Sequence, residues 1–147
     1  MDRELVSPNL FIVGAAKSGT TSIHNYLNQH PEIHMCTPKE PHFLINKEIG
    51  VNRIPSGVIN SEEYYDLFYK GKSLTYRGES SVMYLMYPEI VIPKIKYHFG
   101  ELLSHYTLKK HALEPLMYGG NTNSSSYEHV VLRLPLGSND QKDSGSF

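Results

Sequence analysis

A glycine-bounded loop near the N-terminus carries the clearest chemical signal in this sequence. Residues 14–21 read GAAKSGTT, with two glycines at the separation usual for a phosphate-binding loop and hydroxyl side chains after the second one. Backbone N–H groups, a helix N-terminus and one ammonium group can converge on an anion in such a loop. We therefore predict a phosphate or phosphosulfate site. Its contact residues are Lys17, Ser18, Gly19, Thr20, Thr21 and Ser22.

The residue after the second glycine distinguishes this loop from that of an ordinary nucleotide triphosphatase. Thr20 stands where those enzymes carry a lysine that contacts the β- and γ-phosphates. A nucleotide-triphosphate-binding or kinase-like protein is therefore a weaker alternative. A tight turn that merely caps a helix is a second alternative, and the strand and helix predicted around the loop count against it.

A second candidate lies in a loop that carries Lys39, Glu40 and His42. Prolines at positions 31, 38 and 41 interrupt this part of the chain and leave room for one short strand around residues 33–36. A carboxylate in a loop after a strand can act as a general base, and a neighbouring imidazole can tune it or position a substrate. Taken alone, Glu40 is more simply interpreted as a solvated loop residue.

The elements around these loops indicate an α/β fold. Residues 9–13 have the apolar, β-branched character of a buried parallel strand, and residues 20–29 place apolar side chains at helical spacing. A further strand is predicted at residues 74–77. Helices are predicted after the Asn60 cap and over residues 88–99. The order predicts a parallel sheet flanked by helices.

Composition limits the classes of function. The 147 residues carry a net charge of −1, which gives no general attraction to nucleic acid or to an anionic membrane. The apolar run at residues 10–16 is too short to cross a bilayer, so neither a signal peptide nor an anchor is predicted and a cytoplasmic location is expected. The single cysteine, Cys36, allows no intrachain disulfide. A metal site from His34, Cys36 and His42 lacks the usual paired spacing.

Three strings together resemble a known family. Residues 11–22, the KEPHF string at 39–43 and the GESS string at 78–81 are similar to the PAPS-dependent sulfotransferase superfamily. Here PAPS is 3'-phosphoadenosine 5'-phosphosulfate. The KEPHF string resembles the branch that includes heparan sulfate and bacterial carbohydrate sulfotransferases.

The resemblance implies a parallel sheet of the P-loop type that binds PAPS and transfers its sulfuryl group to a hydroxyl or amine, in a carbohydrate-like acceptor and without a metal. It also implies roles for single residues. Lys17 would stabilise charge on the bridging oxygen. Residues 18–22 would hold the phosphate, Glu40 would be the catalytic base, and His42 would position the acceptor or tune Glu40.

The C-terminal part departs from the family pattern. Ser104-His105-Tyr106 resembles a helix whose serine binds the 3'-phosphate, yet it follows Gly100 without the expected strand and its arginine. This implies an incomplete domain over residues 1–117, for which we hypothesised an internal deletion near residues 100–102. An inactive nucleotide-binding module is then an alternative. Residues 118–147 are predicted to be a disordered tail, and self-association through an exposed sheet edge is expected.

Overall fold

The computed structural model of the protein describes residues 4–50, 52–100, 104–109 and 128–133. Five strands form one sheet in the order β2-β3-β1-β5-β4. Strands β1, β2 and β3 are mutually parallel, whereas β5 pairs antiparallel with both β1 and β4. The strands are β1 (Leu10–Gly14), β2 (Ile33–Met35), β3 (Tyr76–Ser80), β4 (Ser104–Lys109) and β5 (Glu128–Arg133). The predicted parallel α/β sheet is confirmed for the first three strands.

In the described parts of the chain, four α-helices connect or flank these strands. They are α1 (Thr20–Leu27), α2 (Asn46–Ile49), α3 (Ser61–Asp66) and α4 (Pro88–Phe99). Short 3₁₀ helices cover Tyr69–Gly71 and Val82–Met86. The start of α3 agrees with its sequence signal, because the Asn60 side chain accepts hydrogen bonds from the Glu62 and Glu63 N–H groups. The bounds of α4 also match the prediction, with proline in its first turn.

Strand β1 is the centre of the hydrophobic core, and its side chains point alternately to the two faces of the sheet. Phe11 and Val13 pack in one cluster with residues that include Tyr84 and Ile95. Leu10 and Ile12 pack on the other side of the sheet in a cluster that includes Ile23 of α1. All five residues of the strand are buried, which explains why it reads as a continuous apolar run.

Two predictions for the C-terminal part differ from the structure. Residues 104–106 were expected on a helix, but they lie in β4, because residues 104–109 pair along their whole length with β5. Residues 128–133 were expected in a disordered tail, but this β-branched stretch pairs with the otherwise open side of β1. The rest of the predicted tail, and residues 101 and 102 of the hypothesised deletion, lie outside the described residues.

Within the described parts of the chain, no helix combines the length and the apolar character that crossing a bilayer requires.

Candidate functional site

The candidate site lies at the edge of the sheet where the three parallel strands end. Leu10 and Met35 are both in register with Gly78, so β1, β2 and β3 run side by side toward the same edge. The loop after β1, the segment after β2 and the residue after β3 all begin there. This edge of a parallel sheet is the usual location of a ligand site in α/β proteins.

The first component is the donor loop, defined as residues 14–20. Its start fits closely under the Val82–Met86 helix, because a Cβ added at Gly14 would lie 3.0 Å from the Leu85 Cβ. Lys17 and Gly19 both have left-handed backbone conformations, with φ of 58° and 84°. The side chain of Lys17 is exposed, whereas Ser18 and Thr20 are buried. The loop therefore turns back on itself and leaves its lysine free to meet a ligand.

Helix α1 begins directly after this loop. Gly19 is its N-cap, and among the described residues no side chain caps the helix. The first backbone bond inside the helix runs from the Ile23 N–H to the Gly19 carbonyl. The N–H groups of Thr20, Thr21 and Ser22 precede that bond and belong to the turn in which a helix has no internal acceptors. Together with the helix dipole, they suit an anion.

A buried pair ties α1 to the end of β3. His24 Nδ1 and Ser80 Oγ share a hydrogen bond of 2.8 Å, and both residues are buried. Burial lowers the pKa of His24, and the positive charge of Lys39 adds to this effect. His24 is therefore neutral at pH 7.

The second component is the base segment, defined as residues 39–42. Lys39 Nζ and Glu40 Oε1 form an ion pair of 2.7 Å, with side chains 20% and 36% exposed. Glu40 and His42 have left-handed backbone conformations, with φ of 63° and 50°. Such conformations are uncommon for residues other than glycine, and surrounding contacts must maintain them. The segment is thus a constrained turn that presents a half-buried carboxylate.

His42 is the most buried residue of the base segment with a polar side chain. The residue is only 5% exposed, and neither ring nitrogen has a hydrogen-bond partner among the residues that the structure describes. Burial lowers the pKa of His42, while the negative charge and the backbone of Glu40 oppose that shift. The backbone N–H of His42 donates to Ser81 Oγ at 3.1 Å. The ring is thus a neutral imidazole with unused hydrogen-bonding capacity.

A fully buried carboxyl group lies beneath this segment. Glu79 Oε2 accepts a hydrogen bond from Ser81 Oγ at 2.7 Å. Glu79 Oε1 accepts from the hydroxyls of Tyr64 and Tyr84, at 2.5 and 3.0 Å. Burial raises the pKa of Glu79 to about 7, although the three hydrogen bonds act in the opposite direction. The carboxyl group is therefore poised between two charge states near neutral pH.

Comparison with known proteins agrees with this arrangement. Residues 8–73 match the model of a sulfotransferase family. Human carbohydrate sulfotransferase 15 is 38% identical over 64 residues, which is 42% of this chain and 11% of the relative, and the rat protein of that name gives the same values. A crystal structure of a sulfotransferase from Alicyclobacillus acidocaldarius superposes with a TM-score of 0.53 and 33% identity, over 63% of this chain and 40% of that one.

Over residues 8–73 this chain is therefore similar to the sulfotransferase superfamily. It spans about a tenth of the length of the curated relatives that it matches. The matched residues 8–73 contain the donor loop and the base segment, so the two motifs found in the sequence lie within the region of family similarity.

The structure does not bring every predicted site residue to one place. Lys17 and residues 18–22 lie at the carboxyl edge of the parallel strands, as do Glu40 and His42. Ser104 does not, because it is in register with Arg133, and Arg133 is in register with Leu10 at the opposite end of β1 from Gly14. A contact between Ser104 and a ligand in the donor loop therefore has no support in this structure.

Residues that were considered as metal ligands are engaged elsewhere. His34 Nε2 is hydrogen-bonded to the Leu67 carbonyl, and the buried Cys36 thiol donates to the Pro38 carbonyl. Burial also raises the pKa of Cys36, which keeps the sulfur protonated. In the part of the chain that the structure describes, no group of three His, Cys, Asp or Glu side chains is arranged to hold a metal ion.

Sequence reasoning assigned no role to Glu79, Ser81 or His24. The GESS string supported only the family resemblance, although a glutamate between a buried strand and two serines is itself an unusual feature. His24 has no such signal, since a histidine on a helix that packs on a sheet is common. Only the fold shows that it faces Ser80.

Proposed function

We propose that this chain transfers the sulfuryl group of PAPS to a hydroxyl or amine of a carbohydrate-like acceptor. One observation carries the proposal. A single edge of the parallel sheet holds both an anion-binding loop at an uncapped helix N-terminus and a constrained turn with a half-buried carboxylate. Sulfuryl transfer needs these two components, one to hold the donor and one to take the acceptor proton.

The donor loop supports binding of a phosphosulfate. Lys17 and Gly19 have left-handed backbone conformations. The N–H groups of residues 20–22 precede the first hydrogen bond of helix α1 and are therefore available to an anion. The exposed ammonium group of Lys17 would contact the bridging oxygen between phosphorus and sulfur. Because charge develops on that oxygen as the bond to sulfur breaks, a fixed cation there stabilises the transition state more than the ground state.

The base segment supports removal of the acceptor proton. In the proposed step the acceptor oxygen or nitrogen forms a bond to sulfur, the bond from sulfur to the bridging oxygen breaks, and the acceptor proton passes to Glu40. The products are the sulfated acceptor and 3'-phosphoadenosine 5'-phosphate, or PAP. Lys39, which is paired with Glu40 at 2.7 Å, would have to shift as the acceptor enters. It would then face the developing negative charge.

His42 would orient the acceptor. Its neutral ring is buried beside Glu40 and has no hydrogen-bond partner among the described residues. A buried polar group without a partner costs stability, so its retention is best explained by a ligand that supplies the missing bond. An acceptor hydroxyl would do so.

A nucleotide-binding module without transfer activity is the second candidate function. It is favoured by the position of Ser104, because this residue, predicted to contact the 3'-phosphate, lies at the opposite end of β1 from the donor loop. Such a module would still hold the phosphosulfate end of the donor.

A thermal melt with PAP tests the donor site directly. A ligand that binds only the folded chain must raise the melting temperature, so we expect a shift with PAP, a smaller one with ADP, and none with PAP in Lys17→Ala. Transfer of radioactive sulfate from labelled PAPS to desulfated glycosaminoglycans then separates the two candidates. A PAP shift without transfer would identify the binding module, and no shift at all would refute both.

Two further expectations belong to the proposal. Self-association through a sheet edge would give a concentration-dependent mass in sedimentation, and a monomer at every concentration would contradict it. A cytoplasmic location would place the tagged protein in the soluble fraction of lysed cells, and recovery in sealed organelles would contradict it.

A further inference from the structure

The buried carboxyl of Glu79 has no role in the transfer reaction described above, yet two relays of hydrogen bonds start from it. Ser81 Oγ donates to Glu79 at 2.7 Å and accepts from the His42 backbone N–H at 3.1 Å. The Tyr84 hydroxyl donates to Glu79 at 3.0 Å and accepts from the Leu44 backbone N–H at 3.2 Å. Each hydroxyl thus connects the carboxylate to the backbone of residues 42–44.

We propose that Glu79 is a positioning residue that clamps residues 42–44 through these two hydroxyls and thereby holds Glu40 and His42 in place. The role of the clamp in the reaction rests on the proposed function, whereas the hydrogen bonds that form the clamp do not depend on it. A hydroxyl has one proton. When the hydroxyl donates that proton to a carboxylate, the lone pairs of the hydroxyl oxygen can accept hydrogen bonds from the backbone N–H groups.

A carboxylate is suited to this task in a way that an amide is not. Glu79 accepts three hydroxyl protons, because Tyr64 also donates to it at 2.5 Å. The side chain of glutamine has only one acceptor oxygen, and its NH₂ group must donate. A glutamine at this position would therefore force at least one hydroxyl to turn its proton elsewhere. A hydroxyl that turns can lose its bond to the backbone.

The clamp also accounts for the strained turn of the base segment. Glu40 and His42 have left-handed conformations that cost free energy and need external support. The bond to the His42 N–H holds the end of that turn, and the bond to the Leu44 N–H lies two residues further along. The Val58 N–H donates to the Pro41 carbonyl at 2.8 Å and holds the middle.

The charge state of Glu79 should influence the clamp, because a protonated carboxyl group is a poorer acceptor. Burial raises its pKa to about 7. The titratable groups that face it are Tyr64, Tyr84 and Cys36, and their pKa values are all raised by burial, so they stay neutral. The bonds to residues 42 and 44 should therefore be strongest above pH 7.

Hydrogen exchange at single backbone amides tests the clamp without any assay of activity. We expect Ser81→Ala to reduce the protection of the His42 amide at least tenfold, and Tyr84→Phe to do the same for the Leu44 amide. The matched control is Ser80→Ala, whose hydroxyl bonds to His24. This control should leave these two amides protected.

Glu79→Gln keeps the shape of the side chain and decides the matter if the other variants fail to fold. We expect it to reduce protection at residue 42 or 44, and to remove the rise in protection between pH 6 and pH 8. Unchanged protection of both amides in this variant would overturn the proposal, as would equal losses in the Ser80→Ala control.

Transfer kinetics add a readout that a purely structural role would not move. We expect Ser81→Ala to lower kcat about tenfold while the melting shift with PAP stays unchanged, and Ser81→Thr, which keeps the hydroxyl, to restore kcat. A lost PAP shift in Ser81→Ala would show a general collapse of the site and contradict the clamp. If the unaltered chain transfers nothing, the proposed function fails while the amide experiment still decides on the clamp.

Discussion

The donor loop and the base segment lie at the same edge of one sheet, but they are built in different ways. The donor loop shapes its site with backbone: glycines, left-handed turns and a helix N-terminus, with an exposed lysine. The base segment depends on buried side chains, because Ser81, Tyr84 and Glu79 hold its backbone from below. Removing the exposed lysine of the donor loop should therefore affect ligand binding and the reaction but not stability. Changes below the base segment should affect stability and reaction together.

Lys17→Ala should give the largest effect, on the transfer rate, and it tests the claim about the donor loop. Loss of one transition-state cation lowers a rate by about 10²- to 10³-fold. The side chain is exposed, so the free energy of unfolding should change by less than about 0.5 kcal/mol. Transfer of labelled sulfate and a denaturant titration measure the two quantities. Lys47→Ala, an exposed lysine on α2, is the control and should change neither. A large loss of stability in Lys17→Ala would contradict the separation of the two regions.

Glu79→Gln should test, through the pH dependence of stability, whether the side chains below the base segment contribute to the stability of the chain. Folded Glu79 keeps its proton up to about pH 7, whereas the unfolded residue loses it near pH 4.5. Between those values unfolding releases a proton, so raising the pH destabilises the folded chain relative to the glutamine variant. The difference in the free energy of unfolding between the glutamine variant and the unaltered chain should grow with pH by up to about 3 kcal/mol.

His24 and His42 act in the opposite direction in the same pH range. Their pKa values are lowered by burial, so the unfolded chain takes up protons below about pH 6.5 that the folded chain does not. Both proteins carry these histidines, and subtracting one unfolding curve from the other removes their contribution. A difference that is flat from pH 4.5 to pH 7.5 would show that Glu79 titrates normally.

Gly14→Ala should lower the stability of the chain, because the start of the donor loop has no room for an added side-chain atom. A Cβ at this residue would lie 3.0 Å from Leu85 Cβ and Cδ2, at a φ of 156°. Strain of this kind costs about 1–3 kcal/mol. The control is Gly50→Ala, which has a positive φ but no atom within 4 Å of the added Cβ. A melting temperature equal to that of the control would indicate that the 3₁₀ helix simply moves away.

Asn60→Ala should have the smallest effect and lies outside both regions. The side chain of Asn60 caps α3, and its loss costs about 1 kcal/mol. Binding of PAP should stay the same, because α3 contributes no residue to the donor loop. Reduced PAP binding in this variant would mean that the stability of α3 reaches the donor site, and the comparison between the two regions would fail.

The sequence predicted β1, α1, α3 and α4 well because its signals there are local. Helix α2 was not predicted, and the strand predicted at residues 74–77 lies instead at Tyr76–Ser80. The apolar run of β1, the hydroxyl-rich start of α1 and the Asn60 cap each depend on residues a few positions apart. The donor loop and the base segment were predicted for the same reason. Their positions in sequence place them after parallel strands, which must end at one edge.

The rest depends on contacts between distant parts of the chain. Strand β5 is defined by pairing with β1, more than a hundred residues earlier, and the polar sequence around it predicted only a tail. Ser104 was placed on a helix by a three-residue match, which carries less information than the pairing of six residues with β5. The role of Glu79 emerged only when Tyr64 and Tyr84 were found around it.

The pairing of β5 with β1 also bears on how the chain is made. Strands β1, β2 and β3 lie within the first 80 residues, so the parallel part of the sheet can form while synthesis continues. The partner for the other side of β1 comes from residues 128–133 and leaves the ribosome only after them. For several seconds, at rates of about 5–20 residues per second, the central strand has one unpaired side. A chaperone that recognises extended apolar segments would have its opportunity during that interval.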